Sequence, residues 1–164
     1  MTLWITWGSA PWNSGPSWGL NVQNTLKSAA VFTGLGLHSG EPVRMVVRPA
    51  AAETGIWFRR TDLSAGDVMI PARWDAVVPS KLCTLVANPS GVSVSTIEHI
   101  MAALAGCAIH NAIIDIDGPE VPILDGSALP WCRLIAGAGL AMQDAPRRII
   151  ALRRPVEVVR DGRF

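Results

Sequence analysis

From Asn24 to Val94 this chain is a succession of short strand-like runs separated by turn residues, and that pattern constrains the fold more than any other feature. Thr25 to Phe32 reads as a first strand, and the glycine-rich loop Gly34-Leu35-Gly36-Leu37-His38-Ser39-Gly40 follows. Pro42 to Val47 reads as a second strand and Gly55 to Arg60 as a third, with Ile56 and Phe58 on one face and Trp57 and Arg59 on the other. After a mixed segment over 61–80, Leu82 to Val86 and Val92 to Val94 flank an Asn88-Pro89-Ser90-Gly91 turn. Runs this short, joined by turns, predict antiparallel pairing. A helix over 96–105, a strand over 112–116 and a second helix over about 128–136 complete the pattern. The expected fold is α+β: a two-layer sandwich of a mostly antiparallel sheet with helices on one face, followed by the incomplete start of a second domain.

The second domain is suggested by the tail. Arg147 to Leu152 and Val156 to Arg160 read as two strands, and Asp161-Gly162 is a hairpin-turn signal whose return strand is missing. Unpaired strands over 147–160 would favour self-association. Residues 1–22 carry no charged side chain and hold four of the seven tryptophans, which reads as an extension outside the fold. The expected division is therefore 1–22 extension, 23–139 first domain, and 140–164 linker and truncated start of a second domain.

Bulk properties narrow the function classes. Hydrophobic residues make up 49% of the 164, enough for a real core. A net charge of +1 gives no overall pull toward nucleic acid. Six arginines against two acids in the last nineteen residues read as solvated strand faces rather than a phosphate site. No apolar run reaches the roughly 18–20 residues that span a bilayer, so no stable membrane insertion is expected. Three cysteines, Cys83, Cys107 and Cys132, form no spaced pair and fit a reducing cytosol.

The chemistry concentrates in Ser95-Thr96-Ile97-Glu98-His99, which opens an otherwise apolar helix ending at Gly106. Ser95 with Glu98 three residues on has the form of a capping box, and that alone would explain both residues. His99 adds something a cap does not need. In the first turn of a helix the dipole favours the neutral ring, the form that binds a metal. Glu98 beside it could serve as the base that deprotonates a water. One histidine does not make a zinc site, which normally takes three protein ligands. Only His38 and His110 remain. His38, in a glycine-rich loop, can line a site, whereas His110 reads as a surface or edge residue.

Five segments in this order resemble the zinc-dependent UDP-3-O-acyl-N-acetylglucosamine deacetylases of lipid A biosynthesis. They are Gln23-Asn24-Thr25-Leu26-Lys27, the loop Gly34 to Gly40, Arg48-Pro49-Ala50 with Gly55 to Arg60, Ser95 to His99, and Pro119 to Ala128. The resemblance implies two similar α+β domains with the active site between them. It implies removal of the N-acetyl group from a UDP-linked, O-acylated glucosamine in the cytoplasm of Gram-negative bacteria, with Zn2+ as cofactor. It places His99 on a zinc ligand and Glu98 on the catalytic base, and it brings the loop of His38 toward the site. The family's remaining zinc ligands, a His-x-x-x-Asp pair, and a further catalytic histidine belong to the second domain and have no counterpart here. The expectation is a hydrolase fragment inactive alone. The alternatives are a non-catalytic binding module or a non-functional truncated product that keeps the first-domain fold.

Overall fold

A computed structural model describes residues 22–148 and 154–157. Ten strands and two α-helices follow one another as β1 (Val22–Leu26), β2 (Ala30–Leu35), β3 (Pro42–Pro49), β4 (Ile56–Arg60), β5 (Met69–Pro71), β6 (Val77–Val78), β7 (Leu85–Ala87), β8 (Ser93–Val94), α1 (Glu98–Gly106), β9 (Ala112–Ile116), α2 (Leu129–Ala138) and β10 (Leu140–Pro146). A 3-10 turn at Trp74–Ala76 precedes β6.

The main sheet has the order β2-β3-β9-β4-β5. β9 lies at its centre because Ala-Ile-Ile-Asp-Ile is rich in β-branched residues and carries apolar side chains on the helix-facing side. Ala112, Ile114 and Ile116 are completely buried there, beside Met45, Val47 and Phe58 of the flanking strands. The pleat turns Asp115 to the opposite face, where Arg48 and Arg59 both reach it at 2.6 Å. Burial pushes the Asp115 carboxyl up, but the two guanidinium groups win and hold it below its ordinary value.

Both helices cover the other face. α1 buries Ile100, Ala103 and Leu104, and α2 buries Trp131 and Ile135, spaced one turn apart. The Trp131 ring lies 4.6 Å from that of Phe32, centroid to centroid, at a tilt of 36°. Its indole N–H is buried and finds no acceptor among the described residues. Trp131→Phe should therefore change stability by only about 1 kcal/mol, since lost contact area is offset by removal of an unpaired donor. Trp131→Ala should cost about 3–5 kcal/mol. Urea unfolding midpoints check the contrast.

The α+β sandwich with helices on one face is as expected, with two local differences. The expected first strand breaks at Lys27-Ser28-Ala29, and the chain switches there from β1 to β2. β4 pairs with β9 in parallel, the one parallel pair in a main sheet that is otherwise antiparallel, in line with the mostly antiparallel expectation. β10 does not lead away from this body: it returns antiparallel to β1, with Asn24 opposite Met142 and Leu26 opposite Leu140. Of the expected strands at 147–152 and 156–160, most residues lie outside those described, as does the extension up to residue 21. No helix among the described residues is long and apolar enough to cross a membrane.

Candidate active site

Three segments lace together beyond the C-terminal end of β9. The loop after β2 forms a bridge between Gly36 and Pro122, and the segment after β8 forms a second between Ser95 and Glu120. Ser95 N–H donates to the Pro119 carbonyl at 2.9 Å, Val121 N–H to the Ser95 carbonyl at 3.1 Å, and Ile123 N–H to the Leu35 carbonyl at 2.9 Å. A fourth strand of chain joins from 80–84, where Ile97 N–H reaches the Thr84 carbonyl at 3.3 Å. Of the five non-glycine residues with left-handed backbone among those described, three lie in these segments, Leu82 at φ 62°, Thr96 at 59° and Leu124 at 54°, while Glu53 and Ala108 lie elsewhere. Such conformations persist where the surroundings over-determine them, and they cluster at functional sites.

The capping box expected from Ser95 and Glu98 does not form. Thr96, in the left-handed region, turns the chain between Ser95 and the helix, so α1 begins at Glu98 with Ile97 as its uncapped N-cap. Ser95 Oγ instead donates to the Pro119 carbonyl at 3.3 Å. The Glu98 carboxylate is half-buried and accepts Thr84 N–H at 3.0 Å. A carboxylate not consumed by its own helix terminus keeps its second oxygen for chemistry. α2 has Ala128 as its N-cap, and Leu129 N–H donates to Ser127 Oγ at 3.3 Å.

His99 is half-buried on the next residue of α1, with Ala103 buried and Ala102 exposed one turn on. His38 reaches the same end of the sheet: its Nδ1 lies 2.9 Å from Glu120 Oε1 and 3.4 Å from Thr96 Oγ1. His110 belongs elsewhere. It precedes β9 at the opposite end, where its Nδ1 accepts Asn24 N–H at 3.0 Å. Burial, then Arg147, lowers its pKa. A cavity of about 640 Å³ opens at that far end and is lined by Trp57, Arg73, His110 and Arg148. Its arginines are already paired, Arg73 with Asp75 and Arg148 with Glu53. It contains none of Glu98, His99 and His38, so the laced end is the better candidate.

One residue of this end was not singled out from the sequence. Glu120, between two prolines, reads as part of a rigid connector, yet its side chain is buried at 4% exposure and gathers hydrogen bonds from His38, Ser39 and Thr96. Burial would raise its carboxyl, but the backbone N–H groups of His38 and Ser39, with those two side chains, hold it at about 2. The only signal available was a lone carboxylate in an otherwise apolar connector.

No group of three His, Cys, Asp or Glu side chains that could hold a metal exists among the described residues. His99 and Glu98 offer one imidazole with a carboxylate on the adjacent residue, so a metal there would need its other ligands from outside the described residues.

The model of the LpxC family, UDP-3-O-acyl N-acetylglycosamine deacetylase, matches residues 23–164. UDP-3-O-acyl-N-acetylglucosamine deacetylase of Phenylobacterium zucineum is 52% identical over 140 residues, 85% of this chain and 47% of the relative. The enzymes of the same name from Photobacterium profundum and Vibrio cholerae are 48% and 49% identical over 136 residues, 83% of this chain and 44% of each relative. The chain thus spans a little under half the length of these curated relatives. With a family match from Gln23 to Phe164 and about half of the aligned residues identical to these relatives, the chain belongs to the UDP-3-O-acyl-N-acetylglucosamine deacetylase family.

Proposed function

We propose that this chain carries the first-domain half of a zinc-dependent deacetylase, one that removes the N-acetyl group of UDP-3-O-acyl-N-acetylglucosamine in cytoplasmic lipid A biosynthesis. The observation that supports it most is the Glu98–His99 pair at the first turn of α1, with Glu98 held by the Thr84 N–H rather than by its own helix. His99 would be one ligand of the zinc. The bound metal would supply Lewis acidity to water and to the acetamide carbonyl. Glu98 would take the proton from the attacking water, its second oxygen being free to do so. The Thr84 N–H holds the carboxylate in place beside the first turn of α1.

Alone, the 164 residues should not turn over substrate, because one imidazole cannot hold the metal against water. Joined at its C-terminal end to the second half of the Phenylobacterium zucineum relative, the chain should release acetate from UDP-3-O-acyl-N-acetylglucosamine, and a chelator should stop it. Robust chelator-sensitive turnover by the unfused chain would refute the half-site reading. A well-folded fusion without turnover would favour a non-catalytic module.

A further inference from the structure

Glu120 is buried, charged and unused in the reaction proposed above. Its Oε1 accepts His38 N–H at 3.0 Å and Thr96 Oγ1–H at 3.0 Å, and its Oε2 accepts Ser39 N–H at 2.9 Å. The first and last donors belong to the loop after β2. The middle one lies two residues before Glu98. A single carboxylate therefore ties two segments that are distant in sequence, at the point where Thr96 adopts its left-handed turn. That turn costs on the order of 1–3 kcal/mol unless its surroundings impose it, and the Thr96–Glu120 hydrogen bond is placed to do so. Gly36 completes the cradle. A Cβ there would overlap both Ser39 Oγ and Glu120 Oε2, so only glycine lets the loop close around the carboxylate.

We propose that Glu120 is a positioning residue: it clamps the Gly36–Ser39 loop to Thr96, thereby fixing where α1 starts and where Glu98 and His99 stand. The clamp also sets the chemistry of His38. Backbone N–H groups only donate, so a carboxylate ringed by them acts as an acceptor. The His38 Nδ1 facing it at 2.9 Å must then carry the proton, and in the neutral ring Nε2 is left as the free acceptor. His110 is set the opposite way, because its Nδ1 accepts a backbone N–H. What is positioned rests on the deacetylase reading, whereas the clamp itself does not.

The test uses the 164-residue chain, with imidazole 15N correlation spectra and amide hydrogen exchange. In the wild type, His38 should be protonated at Nδ1 and His110 at Nε2. Glu120→Gln keeps the size but turns an NH2 toward donors. Exchange at His38, Ser39 and Thr84 should quicken about tenfold or more, and His38 should lose its Nδ1–H preference. Ile114 and His110 should stay unchanged. Glu120→Asp should partly restore the wild-type pattern, and Gly36→Ala should reproduce the Glu120→Gln signature from the other side of the cradle. Thr84 is the decisive amide, since it reports on Glu98 and does not touch Glu120. Unchanged exchange at Thr84 would overturn the positioning role, as would an Nε2–H tautomer at His38 in the wild type. Loosening of Ile114 and His110 in both variants would make Glu120 merely structural and also overturn it. If the clamp passes while the fusion proves inert, it is the deacetylase reading that fails.

Discussion

Glu98→Gln, made in the chain fused to a relative's second half, is expected to cut acetate release by roughly a hundredfold or more. Folding stability should move by less than about 1 kcal/mol. The two effects separate because the structure gives Glu98 one structural task, accepting the Thr84 N–H at 3.0 Å. A glutamine oxygen can still accept that hydrogen bond. It cannot take a proton from water. KM should stay near its wild-type value, because the lost interaction belongs to the transition state rather than to substrate binding. A large loss of stability with near-normal turnover would reduce Glu98 to a structural tie between α1 and the 80–84 loop.

Acid should weaken the Glu120 clamp before it unfolds an otherwise sound core. The carboxyl is lowered from 4.5 to about 2 in the folded chain. A group whose folded pKa is depressed stabilises fully above its unfolded value and loses that contribution as pH falls through the folded one. The window is therefore from about pH 4.5 down to about pH 2. A shift of this size corresponds to about 3 kcal/mol at the 1.36 kcal/mol per unit of linkage. That is a large share of the 5–15 kcal/mol typical of a domain. Asp115 and Asp62 are also held below their ordinary values, and both push in the same direction. The informative quantity is thus the difference between wild type and Glu120→Gln. Urea midpoints at pH 6 and pH 2.5 should fall much further for the wild type than for the variant. Parallel pH profiles would mean that the cradle contributes nothing to stability.

β9 was legible from sequence because its signal is local: five residues, mostly β-branched, bounded by polar and glycine-containing turns. α1 was legible as a helix for the same reason, and Gly106 marks its end. What was not legible depends on partners far away in the chain. The break between β1 and β2 falls at Lys27-Ser28-Ala29, which has neither glycine nor proline to announce a turn. The parallel pairing of β4 with β9 joins segments more than fifty residues apart, and no periodicity within either strand records it. The missing capping box has a subtler cause. Ser-x-x-Glu satisfies the local rule, but Thr96 adopts a conformation that threonine does not advertise, imposed by Glu120 from across the site. Glu120 itself was invisible because its donors, His38 and Ser39, come from more than eighty residues earlier in the chain. The family resemblance put Glu98 and His99 at the site and brought the loop of His38 toward it, and in the structure His38 lies beside Glu120 and Thr96 at the entrance to α1.

The most direct measurement of the half-site account is the zinc content of the purified fusion and of two variants at adjacent residues. One equivalent of zinc is expected in the fusion and in Glu98→Gln if, as proposed, the glutamate is a base and not a ligand. His99→Ala should lose most of the metal, since removing one of three protein ligands leaves too few to hold it. The unfused chain should retain none after dialysis. Full zinc occupancy in His99→Ala, or a stoichiometric site in the unfused chain, would contradict the account.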